Sequence, residues 1–132
     1  MQYRGAITVT AGTPASAPEL LPVSICYGSL RRYSVYFPPG NGGTTYVQVW
    51  YRGRQILPTT PGATFRGDDL LIDLPDNYPL HDSPFELEIR GWSPAAAYDH
   101  TVFLLLYIET DTIAIPAPLE SSAVAIPFFE ES

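Results

Sequence analysis

In the stretch PFELEIRGW, residues 84–92, Phe85, Leu87 and Ile89 alternate with Glu86, Glu88 and Arg90. A two-residue period places the apolar set on one side of an extended strand and the charged set on the other. The same pattern recurs along the chain. Tyr3, Ile7 and Val9 alternate with Arg4 and Thr8, and Leu21, Val23 and Ile25 follow the loop AGTPASAP. Tyr33, Val35 and Phe37 then alternate with Arg32, Ser34 and Tyr36. In TTYVQVWYR, Val47, Val49 and Tyr51 oppose Tyr46, Gln48, Trp50 and Arg52. A weaker strand, LLIDL, spans 70–74. Turn clusters such as PPGNGG at 38–43 and RGRQ at 52–55 separate these runs, as glycine and proline do between strands. The spacing predicts an all-β fold: a single antiparallel β-sandwich with jelly-roll or related Greek-key connections.

The strand at 100–109, HTVFLLLYIE, departs from this pattern. Val102, Leu104, Leu106 and Ile108 occupy one face, while Phe103, Leu105 and Tyr107 occupy the other. A sandwich covers one face of each sheet with its core, so the second face calls for a loop, an arm or another subunit. The residues that follow supply a candidate cover. Segment 112–132 carries Ile113, Ile115, Leu119, Val124, Ile126, Phe128 and Phe129, punctuated by prolines at 116, 118 and 127. The expected organisation is a β-sandwich domain over 1–111 and an extended, proline-punctuated apolar C-terminal arm over 112–132 that docks on a neighbour. Proline keeps such an arm extended and lowers the cost of ordering it, while limiting any strand pairing to a sheet edge.

Charge divides the chain. Residues 1–66 hold six arginines against Glu19, whereas residues 67–132 hold Arg90 against thirteen carboxylates, and there is no lysine. Two readings follow: strands from the two halves lie side by side and neutralise one another across a sheet, or unlike surfaces meet between subunits and set their orientation. The net charge of −7 offers no basic face for phosphate, so no nucleic-acid partner is expected. No apolar run approaches the roughly 18 residues of a membrane span. The N-terminus MQYRGAITVT also lacks a basic, then apolar, leader with a small-residue cleavage site. The expectation is a chain with no membrane partner and no secretion signal.

Residues with catalytic or ligating chemistry are sparse and scattered. His81, His100 and Cys26 show no metal-ligand spacing, and Cys26, the single cysteine, reads as a small core or interface hydrophobe. Asp99 beside His100 would point to opposite faces of a strand, so AYDHT is expected to start a strand with polar residues that satisfy loop backbone groups. Asp68, Asp69, Asp73 and Asp76 lack the intervals of an EF-hand and read as a solvated acidic stretch. Arg66-Gly67-Asp68 is composed of ordinary turn residues. No catalytic residue, cofactor or metal is expected, and a hydrolase lacks a nucleophile–base pair.

The aromatic residues Tyr36, Tyr46, Trp50 and Trp92 sit at outward positions of the predicted strands. They serve either ordinary sheet packing or an interface. A platform for stacking sugars is the alternative, which would make the chain a carbohydrate-binding module for surface attachment.

The order strand, F-P-x-G turn, V-x-V strand, G-x-Q-I-L-P, acidic turn and Y-D-H-T before the last strand extends over residues 3–109. It is carried by RRYSVYFPPGNGGTTYVQVWYRGRQILPTTPGATFRGDD, DLPDNYPL and GWSPAAAYDHTVFLLLYIE. This run resembles a group of small proteins encoded among the structural genes of tailed bacteriophages. Its motifs are turn and core signatures, with no catalytic residue to carry over, and the C-terminal segment lies outside it. The resemblance implies a virion component assembled in the host cytoplasm, with capsid decoration or head-surface stabilisation as its role and a head-tail or tail position as the other placement. Together with the arm, it leads us to expect a homo-oligomer, preferably a trimer, that contacts a shell protein.

Overall fold

The computed structural model describes residues 1–110, which form eight strands: β1 (Gln2–Val9), β2 (Glu19–Ser24), β3 (Gly28–Phe37), β4 (Tyr46–Tyr51), β5 (Arg54–Leu57), β6 (Leu70–Leu80), β7 (Glu86–Trp92) and β8 (His100–Glu109). They make two four-stranded antiparallel sheets, ordered β1-β8-β3-β6 and β2-β7-β4-β5. The pairs β4·β5, β3·β6, β2·β7 and β1·β8 nest around the innermost hairpin and fall alternately in the two sheets, which is jelly-roll winding. Among the described residues no helix is long and apolar enough to cross a membrane.

The alternation read from the sequence is the packing pattern. Ile7, Val9, Val35, Phe37, Val47, Val49, Leu87, Ile89, Val102, Leu104, Leu106 and Ile108 are buried between the sheets. Their intervening neighbours point outward. Glycine brings the layers together where a side chain would not fit: a Cβ at Gly91 would lie 2.7 Å from Val9 Cγ2. The β4–β5 hairpin closes through Arg52 and Gly53, both at positive φ (52° and 77°). That conformation matches the twist of a two-residue hairpin and explains the glycine there.

Two features depart from the simple period. β6 continues through Pro75 and Pro79 to Leu80, well beyond the 70–74 strand that the sequence suggested. β6 is the edge of its sheet, where a missing N–H can face solvent without breaking a ladder. In β3, the register against both β6 and β8 shifts between Leu30 and Arg32. This irregularity lets Leu30 and Tyr33, which have opposite parity, both face the core.

The winding brings the basic and acidic halves of the chain together. Arg32 Nε lies 3.0 Å from Asp73 Oδ1, and Arg31 Nε lies 2.8 Å from Glu109 Oε1. Neutralisation across neighbouring strands, the first of the two charge readings, is what these pairs show.

Candidate docking face

The outer face of the sheet β1-β8-β3-β6 is built in rows by its register. Ala6 pairs with Phe103, Phe103 with Tyr36, and Tyr36 with Leu71. The next row joins Arg4, Leu105, Ser34 and Asp73, and the third joins Gln2, Tyr107, Arg32 and Pro75. Side chains directly opposite in an antiparallel ladder share a face. All three members of the second face of β8 therefore point away from the core. Phe103 is 47% exposed, Tyr107 41% and Leu71 60%, so no loop among the described residues covers this face.

Small residues beside large ones make the face concave. Ala6 and Ser34 flank the β8 row, leaving a groove of about 590 Å³ bounded by Arg4, Tyr36, Leu71 and Phe103, with Leu105 among its lining residues. A second depression of about 380 Å³, lined by Gln2, Arg32, Asp73 and Tyr107, shares Ser34 and Leu105 with the first. The Tyr36 and Phe103 rings stack with centroids 6.3 Å apart. Asp73 is tied to Arg32, whose hydrogen bond holds its carboxyl below the usual carboxylate range; Ser34 Oγ adds a bond to it at 3.2 Å. Arg4, exposed at the rim, has no ion pair among the described residues.

The opposite outer face, on β2-β7-β4-β5, is covered over β4 and β5, while Leu20 of β2 stays 53% exposed. Gln48 is buried there and donates to the carbonyl of Ala63 at 2.8 Å, while the Gln55 amide donates to Pro58 and Ala63 carbonyls at 2.9 Å. These bonds strap the loop after β5 across the sheet. Trp50 donates its indole N–H to Gln48 Oε1 at 2.9 Å, and the Arg90 guanidinium lies over its ring. Tyr46 and Trp92 stack on each other at 6.1 Å, with Arg66 over Tyr46. The four aromatic candidates are thus divided: Tyr46, Trp50 and Trp92 share this face, whereas Tyr36 belongs to the other sheet.

The remaining candidates have local partners. Asp99 accepts a hydrogen bond from the backbone N–H of Ala11 at 2.8 Å, the loop-satisfying role expected of it. Asp68 accepts from Gly40 N, and Asp76 from Asn77 N. His81 stacks on Tyr27 with centroids 4.5 Å apart, whereas His100 opens β8 opposite Val9. Cys26 is half-buried against the core; its interaction with the nearby Tyr3 side chain lowers its pKa, while burial, followed by the Cys26 contact, raises that of Tyr3. No group of three or more His, Cys, Asp or Glu converges on a possible metal position among the described residues. The arm positions Ile113, Ile115, Leu119, Val124, Ile126, Phe128 and Phe129 lie outside the described residues.

Sequence reasoning identified Phe103, Leu105 and Tyr107 but missed Arg4, Ala6, Ser34 and Leu71. Outward alternation marks each of these four as a surface position. Only the cross-strand register reveals that they surround the β8 row. Neither the models of known families nor the curated proteins include a match to the sequence.

Proposed function

We propose that this chain is a non-enzymatic structural protein of a phage-like particle, stabilising the capsid by bridging shell subunits. The supporting observation is the solvent-facing Phe103-Leu105-Tyr107 row on a sandwich whose other outer face is occupied over β4 and β5 by its own loop and aromatic pairs. An apolar patch of this kind, rimmed by polar residues, is a protein-binding feature. The jelly roll itself hosts capsid proteins, lectins and cupins alike, so the fold does not select among them. The sequence resemblance favours the virion. In this reading the chain forms a trimer, its outer face and C-terminal arm make the subunit and shell contacts, and it resides in the assembled particle.

The carbohydrate reading is weakened by the state of its principal candidate: Trp50 has Arg90 over its ring and its N–H already bonded.

Light scattering on the full chain at several concentrations, beside a chain ending at Asp111, tests the proposal. A full chain with three times the monomer mass that falls to monomer on truncation is expected. A full chain that stays monomeric throughout overturns the self-assembly part, and failure of an isolated shell lattice to bind it overturns the rest.

A further inference from the structure

The groove on the outer face and the C-terminal segment have complementary chemistry. We propose that this groove is the seat of the proline-punctuated segment 113–129, delivered by a neighbouring copy of the chain. The inference rests on the assembly reading above, because it requires that copies meet.

The first support is the mode of contact that each side permits. Prolines at 116, 118 and 127 remove N–H donors and restrict any strand pairing by this segment to a sheet edge, as Pro75 and Pro79 are placed in β6. Docking face-on needs no such donors, since β8 already spends its ladder bonds on β1 and β3. Extended proline-containing peptides dock in this way in grooves walled by aromatic rings. Here the stacked Tyr36 and Phe103 rings form one side, with Leu71 beside them. Ile115, Leu119, Ile126 and Phe128 supply apolar side chains to fill it.

Charge provides the second support. The segment 112–132 contains Glu120, Glu130 and Glu131 and no cation. Arg4 stands at the groove rim with no ion pair among the described residues, whereas Arg32, the other arginine on the outer rows, is held by Asp73. Within 113–129 the carboxylate is Glu120, which gives Arg4 a partner when the segment lies along the groove, and such pairing fixes register and orientation.

Length permits a neighbour as the source. β8 ends at Glu109, with Thr110 Oγ1 3.8 Å from Cys26 Sγ. The groove lies behind that point, back along β8 at Leu105 and Phe103. The stretch from Thr110 to Phe129 spans at most about 60 Å at roughly 3.3 Å per residue, against a radius of gyration near 13 Å for a domain of this size. A neighbouring domain is within reach.

The test places p-benzoylphenylalanine at Tyr36 in the full chain, mixes light and 15N-labelled protein, irradiates it, and digests with a glutamyl protease that cuts after Glu109 and Glu120. Cross-links from position 36 to peptides within 113–129 that join light to heavy chains are expected, with a several-fold lower yield in Arg4→Glu. The same probe at Leu71 repeats the experiment from the other side of the groove. Cross-links to other peptides from a chain that is still oligomeric would overturn the groove as the seat and leave the assembly reading standing. Cross-links to 113–129 confined to like-labelled chains would overturn delivery by a neighbour, and with it the arm's part in assembly.

Discussion

The guanidinium carbon of Arg90 lies 3.9 Å from the centroid of the Trp50 ring, while Arg90 Nε also binds Glu88 Oε1 at 2.6 Å. The ion pair fixes the cation over the indole. In a Trp92→Phe background, Arg90→Ala is expected to shift Trp50 emission to longer wavelength and to cost about 0.5–1 kcal/mol of stability. Titrating the unsubstituted chain with surface glycans should leave its emission unchanged. A saturable change would place a sugar on this face.

Gly28 is required by a backbone contact. An added Cβ would sit 2.2 Å from the carbonyl oxygen of Glu109 and 3.1 Å from Ile108 Cγ2. Relief requires β3 and β8 to move apart, because a carbonyl oxygen cannot rotate away as a side chain does. Gly28→Ala should therefore lower stability by about 1–3 kcal/mol, the usual range for overpacking, as read from the urea midpoint.

Adjacent positions in β8 should behave in opposite ways. Leu104 is 3% exposed on the inner face, and Leu104→Ala is expected to cost about 2–5 kcal/mol through lost burial and the remaining cavity. Phe103→Ser, on the outer face, should cost less than about 1 kcal/mol and yet abolish association in light scattering. Equal destabilisation by both would mean that the outer face is a structural surface.

The Arg32–Asp73 pair predicts an acid-limb effect. Because Arg32 holds the Asp73 carboxyl below its ordinary pKa, the unfolded chain binds the proton first as pH falls. The pair's contribution is present above the unfolded value of about 3.9 and disappears as pH drops through the depressed one. Asp73→Asn should thus be slightly less stable than the native chain at pH 7, and their denaturation midpoints should converge on acidification. Both partners are solvent-exposed, so added salt should shrink the difference.

Much of the fold was legible because burial here follows strict alternation. The inward residues of β4, β7 and β8 are those a period of two selects. The far half of β6 was not legible, since Pro75 and Pro79 read as loop until an edge position makes them harmless. Nor was the interruption at Arg31, which changes parity without any local glycine. At the candidate site, Phe103, Leu105 and Tyr107 stood out as a second apolar face on one strand. Ala6 and Ser34 did not, because their value lies in being small beside a particular neighbour, and neighbours in this winding come from distant parts of the chain.

The nested order of the strands gives the groove a further property. Arg4 and Ala6 come from the first strand, Ser34 and Tyr36 from the third, and Phe103 and Leu105 from the last. The β1·β8 pairing that unites them is the most distant in sequence, and such high-contact-order closures weigh most heavily on folding rate. A chain whose inner hairpins have formed but whose outermost pair has not has no groove to offer. Any partner that reads this surface is therefore also reading whether the roll has closed, so a half-wound chain would fail inspection before it could be bound.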